Sequence, residues 1–511
     1  MKLSQIAQDS LMIPPEWDRD IQHIRCDSRD IQVGDLFIAR SGSEHNSNVF
    51  IKSAIAAGAV AVFLEKTSED TPYFRCDDGQ VPVFSTAKLR SLLPLWLANR
   101  YLAAKQIPLI GVTGTNGKSS VTQYIAQLLK CLNSSCGVLG TLGNGVWPTL
   151  EATRNTTPDI SIIYQNIEQI KSAGASHVAM EVSSHGLDQK RVEGLVFDVS
   201  ILTNISQDHL DYHGTMENYF ASKASLFTAD KTRAAVINID DVYGRRLLET
   251  LKSTDDKQIS TISVSYIGAF DDDYDAQKAL EYNVADVCYY NIERTQSGQV
   301  AQLKTPWGNA EMTLSLLGDF NVANMTAAVS ALVLMGYPFD DVINQTKFVQ
   351  PIAGRMEVYC AKEKPLAVID FAHTPDAISN VLNSLMSDDS ELSLVFGCGG
   401  ERDRSKRALM ADAASIATNV WVTDDNPRRE NSDQIFDDIR QSKASRKYQF
   451  IHNRTEAINA AIESTSVHGV VVIAGKGHEN YQHIGNEKIS YSDADVLASL
   501  GYQKLGGHRA A

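Results

Sequence analysis

The run Ile110-Gly111-Val112-Thr113-Gly114-Thr115-Asn116-Gly117-Lys118-Ser119-Ser120 constrains this chain more than any other stretch. Residues 107–112 are apolar and read as a buried strand, and 119–132 carry apolar residues at helical spacing. A glycine-rich turn between a strand and a helix lets backbone N–H groups converge on phosphate oxygens. The helix N-terminus adds partial positive charge. Lys118 is placed to reach the terminal phosphates of ATP, and the Ser119 hydroxyl to hold Mg²⁺. The usual loop has its first glycine at the position held here by Val112; this chain has glycines at 111, 114 and 117 instead.

With 511 residues the chain has room for roughly three domains. The net charge of −15 argues against a surface that coats nucleic acid. Seven cysteines occur without a Cys-x-x-Cys pair, the usage of a reducing cytoplasm. Residues 1–10 show no apolar core of a secretion signal, and the most apolar run, 54–64, contains glycine and is too short to span a bilayer. A cytoplasmic protein that binds neither membrane nor nucleic acid is expected.

The expected fold class is α/β in three domains: a small N-terminal α/β domain, 1–104; a central ATP-binding domain with a mostly parallel sheet, 105–348; and a C-terminal Rossmann-like domain, 349–511. In the first, a turn at Cys26-Asp27-Ser28-Arg29 leads to a strand over 33–39. A polar stretch at 41–46, a helix over 50–57 and a strand over 59–64 follow. In the second, strands and helices alternate over 107–112, 119–132, 159–173, 177–182, 198–203, 214–229 and 234–239, the rhythm of a parallel sheet with covering helices. Ligands of such sheets gather at the carboxyl ends of the strands. Glu181 stands at such an end, well placed for Mg²⁺. Asn155-Thr156-Thr157-Pro158 serves equally as a helix cap or a site. The segment 203–214 is dense in possible ligands. His209 and His213 there suggest zinc, but oxygen ligands beside a phosphate loop favour Mg²⁺. On pattern alone Lys223 is a surface helix lysine. Asp271–Asp275 reads as an acidic loop, 284–293 and 300–306 as antiparallel strands, and 318–334 as a helix opening. In the third domain, strands end in polar turns near Asp370, Gly397, Thr423 and Ala474. Arg402, Arg428 and Glu479 in those turns suit a ligand with both a carboxylate and an ammonium.

Taken together, Gly114-Thr-Asn-Gly-Lys-Ser119, Glu181-Val-Ser-Ser-His-Gly-Leu187, Thr203-Asn-Ile-Ser-x-Asp-His-Leu-Asp-Tyr-His-Gly214, Gly354-Arg-Met-Glu357, Asp370-Phe-Ala-His-Thr-Pro-Asp376 and Asp425-Asn-Pro-Arg428 resemble the Mur ligases, in the family's order and over essentially the whole chain. The resemblance implies a UDP-binding domain, a central ATPase and an amino-acid domain. It also implies an ATP- and Mg²⁺-dependent ligase of peptidoglycan precursor synthesis. Its substrates would be ATP, UDP-N-acetylmuramoyl-L-alanyl-D-glutamate and meso-diaminopimelate, and it would act as a monomer through an acyl phosphate. Lys118, Glu181, His209 and Lys223 match the catalytic positions. Lys223 would be carbamylated, and it would organise Mg²⁺ with Ser119, Glu181 and His209. ATP would be held by Gly114, Thr115, Asn116, Gly117, Lys118, Ser119, Ser120, Asn321, Arg355 and His373. The nucleotide-sugar substrate would contact Cys26, Ser28, Ser43, Glu44, His45, Asn155, Thr156, Thr157, Ser183, Gln189 and Arg191. Diaminopimelate would contact Arg402, Asp425, Asn426, Pro427, Arg428, Gly475 and Glu479. Asp-Asn-Pro-Arg favours diaminopimelate over lysine, because its arginine can hold the distal carboxylate with two bonds. Two departures stand out: Ser119-Ser120 replaces the commoner threonines, and Phe371 stands where tyrosine is usual. A folylpolyglutamate synthase-like ligase shares the loop and the chemistry but leaves Asp425–Arg428 and the N-terminal segment unexplained.

Overall fold

The computed structural model describes residues 1–40, 48–65, 74–77, 81–253, 259–266, 285–295, 298–386 and 391–505, with backbone alone at 48–49 and 74–77. Ser43, Glu44, His45 and the acidic run 271–275 lie outside the described residues. The chain forms two compact units. One holds Met1–Thr113, Asn133–Ser200 and Ser225–Ala234; the other holds Gly114–Leu132, Ile201–Ala224 and Ala235–Ala511.

The first unit contains a five-stranded sheet. Ile24–Arg25, Leu36–Ala39, Ala61–Glu65 and Val81–Thr86 run parallel, and Phe74–Asp77 closes the edge antiparallel. Its strands are short and apolar because helices cover them. Phe63 packs edge-on against Phe84, ring centroids 5.7 Å apart, and against Trp96 of helix Leu89–Arg100 at 4.5 Å. A second set of parallel strands, Leu109–Thr113, His177–Glu181 and Cys136–Gly140, belongs to the same unit. Val112 lies in register with Glu181, so that carboxylate stands at the carboxyl end of its strand. Helix Ile160–Ser172 covers this set. Asp159 caps it by accepting from Ser161 N, and Ile163, Ile167 and Ile170 turn inward at helical spacing.

In the second unit, Ser260–Tyr266 and Val287–Thr295 pair parallel; Gly298–Thr305 and Gly308–Leu314 extend them antiparallel. The helix expected over 214–229 is shorter, Met216–Ala224, and a separate short helix, Leu210–His213, precedes it. Gly214, at φ +75°, ends that preceding helix. A seven-stranded sheet follows. Gln449–Phe450, Asn419–Val422, Leu392–Phe396, Val470–Ala474 and Leu366–Asp370 lie side by side in that order, all parallel, with Glu357–Cys360 and Gln503–Lys504 antiparallel beyond. Strands 392–396, 419–422 and 470–474 are neighbours although the last comes much later in the chain. Their carboxyl-terminal loops therefore meet where the strand order reverses, the place at which open α/β sheets bind ligands. Among the described residues, no helix is long and apolar enough to cross a membrane.

Candidate active site

The glycine-rich loop is held from behind by a polar layer. Thr115 N donates to Asn204 O at 2.8 Å, and Asn116 N to Asn204 Oδ1 at 3.0 Å. Thr203 Oγ1 donates to Asn116 O at 2.6 Å. Gly114 has φ +144°, and a Cβ there would lie 1.9 Å from Thr203 Oγ1, so only glycine fits. Gly114→Ala is expected to raise the KM for ATP by about tenfold or more, from backbone strain and displacement of Thr203. An unchanged KM would show that the loop tolerates the methyl group.

Lys118 Nζ donates to Gly114 O at 2.9 Å and to Thr115 O at 2.8 Å. Lys223 Nζ reaches the same Gly114 O at 2.7 Å. Lys223 is 1% exposed, so the pattern reading of a surface lysine is overturned. The local pattern gave no sign of this because the helix is short, nine residues, and Lys223 near its end reaches the loop. Burial, then the nearby Lys118 charge, hold the Lys223 amine well below the usual lysine range. Arg355 Nη2 lies 3.5 Å from Ser119 Oγ, and Tyr124 OH donates to Asn321 Oδ1 at 2.8 Å. Lys118, Ser119, Lys223, Arg355 and Asn321 are thus gathered on one loop and its supports. Ser120 and Gly117 line a cleft of about 680 Å³ that extends past Asn324 and Phe320 to Tyr266 and Tyr289. Those two tyrosine rings stack at 5.3 Å.

Asp208 ties further residues to this region. Its carboxylate lies 3.4 Å from His209 Nε2, 3.6 Å from His373 Nε2 and 2.8 Å from Lys406 Nζ. Burial would raise the Asp208 carboxyl, but His373, Lys406 and His209 outweigh it and hold it well below the usual range. His213 turns instead against the Tyr219 ring, centroids 5.3 Å apart. Among the described residues, no three His, Cys, Asp or Glu side chains are grouped as a metal cage.

The first unit gathers a different set. Glu181 is 2% exposed; its Oε1 accepts from Thr141 N at 2.8 Å and its Oε2 from Thr141 Oγ1 at 3.2 Å. Thr141 Oγ1 also pairs with Thr156 Oγ1 at 3.0 Å, where the Thr156 hydroxyl is the donor because the Thr141 proton goes to Glu181. Thr157 Oγ1 donates to Glu181 O and accepts from Ser183 N, both at 2.9 Å, while Thr157 O accepts from Arg191 Nη1 at 2.6 Å. Gln189 Oε1 accepts from Arg191 Nη2 at 2.6 Å. Glu181, Thr156, Thr157, Ser183, Gln189 and Arg191 therefore form one connected patch. Cys26 and Asn155 line a cleft of about 1060 Å³ with Trp147 and Asp159. Burial, then the Asp159 charge, push the Cys26 thiol up to about 12. Ser28 opens the short turn Ser28–Asp30.

At the reversal of the seven-stranded sheet, the loops at 397–402, 423–428 and 475–479 converge. Arg428 has φ +55° and is held by backbone bonds from Arg428 N to His483 O at 2.9 Å and from Gly485 N to Arg428 O at 2.7 Å. Its Nη1 donates to Gly400 O at 2.6 Å, and Arg402 Nη1 donates to Glu401 O at 3.2 Å. Gly475, at φ +111°, lets Asp425 approach: a Cβ would sit 2.5 Å from Asp425 Oδ2. Pro427 joins Asn426 to Arg428 in this loop. The ion partner of Glu479 is Lys476, at 3.2 Å, rather than either arginine. Lys476, Asn204, Asp208, Asn324 and Lys406 were not singled out from sequence. Asn204 and Asp208 carried a signal, lying in the ligand-dense segment 203–214, and so did Lys476, between two picked residues in a strand-end turn.

The family models for the Mur ligase middle domain and the Mur ligase glutamate ligase domain match residues 112–332 and 354–477. UDP-N-acetylmuramoyl-L-alanyl-D-glutamate–2,6-diaminopimelate ligase of Pseudomonas syringae pv. tomato is 41% identical over 493 residues, covering 94% of this chain and 96% of that protein. The enzyme of the same name from Pseudomonas aeruginosa is 42% identical over 488 residues, covering 94% and 95%. A solved structure of a ligase of that name superposes with a TM-score of 0.65 at 33% identity, covering 98% of both chains. The chain belongs to the Mur ligase family.

Proposed function

We propose that the chain is an ATP-dependent amide ligase that adds meso-2,6-diaminopimelate to UDP-N-acetylmuramoyl-L-alanyl-D-glutamate, in peptidoglycan precursor synthesis. The carrying observation is the convergence of Asp425–Arg428 and Glu479 at the reversal of one sheet. That convergence offers a cation and an anion to the two charged groups on the distal carbon of diaminopimelate.

A carboxylate is a poor acyl donor, so phosphorylation must supply a leaving group. The γ-carboxylate of the D-glutamyl residue attacks the terminal phosphorus of ATP, ADP departs, and an acyl phosphate forms. The amine of diaminopimelate attacks the acyl carbon and loses a proton, and the tetrahedral intermediate expels phosphate. Two anions must meet in the first step, and Lys118 lowers that barrier by neutralising phosphate charge. Ser119, Glu181, His209 and a carbamate on Lys223 would hold Mg²⁺, which when bound would supply the remaining charge neutralisation. The buried Lys223 amine suits that modification: its neutral form adds to CO₂ and releases a proton, which turns a cation into an anion. Asn321, Arg355 and His373, with Gly114–Ser120, hold the nucleotide. Cys26, Ser28, Ser43–His45, Asn155–Thr157, Ser183, Gln189 and Arg191 hold the nucleotide-sugar substrate. The functional modules are 1–104 for UDP, 105–348 for ATP and 349–511 for the amino acid, in a monomeric cytoplasmic enzyme that needs neither membrane nor nucleic acid.

The acyl phosphate is tested by labelling the γ-carboxylate with ¹⁸O. The expected result is transfer of one labelled oxygen into each phosphate released. Unlabelled phosphate would defeat this mechanism.

A further inference from the structure

Lys476 is a lysine with no exposed surface, set in the loop after strand Val470–Ala474. Its Nζ donates to Asn426 Oδ1 at 3.1 Å and to Glu479 Oε2 at 3.2 Å, and lies 4.0 Å from Asp425 Oδ1. Asn426 Oδ1 accepts a second bond, from His483 N at 2.9 Å. Two donors on one amide oxygen settle how the amide points, because the turned-over NH₂ would face an ammonium and an N–H. In the settled orientation Asn426 Nδ2 donates to Glu479 Oε2 at 2.8 Å. Both of these bonds to the Glu479 carboxylate thus fall on Oε2 rather than Oε1. The Lys476 charge also offsets the two carboxylates, Asp425 and Glu479, that this pocket brings together.

We propose that Lys476 is a positioning residue that sets selectivity for an ammonium group on the distal carbon of the amino-acid substrate. Sealed from solvent, it acts through Asn426 and Glu479 rather than on the substrate. It fixes the pair so that Glu479 Oε1 accepts from the distal ammonium, while Arg428 takes the distal carboxylate. This rests on the diaminopimelate reading above. It divides recognition into two separable selections, one for each distal charge.

The test compares kcat/KM for three amino acids in the full-length chain with saturating ATP and UDP-N-acetylmuramoyl-L-alanyl-D-glutamate. These are meso-diaminopimelate; 2-aminopimelate, which lacks the distal ammonium; and L-lysine, which lacks the distal carboxylate. In Lys476→Met the preference for diaminopimelate over 2-aminopimelate is expected to narrow about tenfold, from loss of one charged hydrogen-bond partner, with the KM for ATP and the preference over lysine unchanged. Lys476→Gln, which keeps a donor for Asn426 Oδ1, should fall between. Losses that strike diaminopimelate and 2-aminopimelate equally would assign Lys476 a purely structural role and overturn the proposal, as would unaltered ratios. If Lys476→Met does not fold, an unaltered ratio in Lys476→Gln overturns it alone. A wild-type chain that releases no phosphate with diaminopimelate overturns the underlying reading, and the proposal with it.

Discussion

Lys118→Ala is expected to lower kcat for phosphate release by about 10³-fold, the scale seen when a preorganised charge is removed from a reacting phosphoryl group. The residue opens helix Lys118–Cys131, so its ammonium and the helix N-terminus would act on the same phosphates. Its present partners are backbone oxygens of the loop itself, Gly114 O and Thr115 O. A phosphate oxygen competes well for such a cation because the bond is charge-assisted. The loop keeps its shape without Lys118, since Asn204 and Thr203 hold it independently. Thermal unfolding should therefore stay close to that of the parent chain while turnover collapses. A variant with intact kcat would remove Lys118 from the chemistry.

The second large effect is expected at Arg428. Arg428→Ala should reduce kcat/KM for diaminopimelate by about 10²-fold or more, the cost of losing a two-bond guanidinium–carboxylate contact in a partly buried site. The KM for ATP should not change. Arg428→Lys should recover little, because an ammonium cannot reproduce the planar fork. The backbone argues for this role as well. A non-glycine residue at φ +55° is strained, and here two backbone bonds to the 481–490 hairpin hold it. Burial, then the neighbouring Arg402 charge, push the guanidinium below its usual range, so the site is poised to gain from an incoming anion. An unchanged apparent affinity for diaminopimelate would take Arg428 out of the site.

Much of the architecture was legible because buried parallel strands and glycine turns leave strong local signals. The strand–loop–helix at 109–131 and the strand ends at Asp370, Phe396, Val422 and Ala474 all follow from apolar runs stopped by polar turns. Lys223 was illegible from pattern. A helix of nine residues cannot show which face meets a loop more than a hundred residues away. Lys406 was illegible for the same reason: its 2.8 Å contact with Asp208 joins positions 198 apart, and no local periodicity encodes it. Lys476 shows a third limit. The reading of charge in the strand-end turns picked out Arg402, Arg428 and Glu479, whereas Lys476 between them is fully buried and bonds to Asn426 and Glu479.

The central claim is that ATP cleavage is tied to joining diaminopimelate to a uridine nucleotide dipeptide. Phosphate release with UDP-N-acetylmuramoyl-L-alanyl-D-glutamate, ATP and Mg²⁺, with meso-diaminopimelate compared with L-lysine, tests it most directly. Release with diaminopimelate and little with lysine is the expected result. Release with lysine alone, or with neither amino acid, would contradict it.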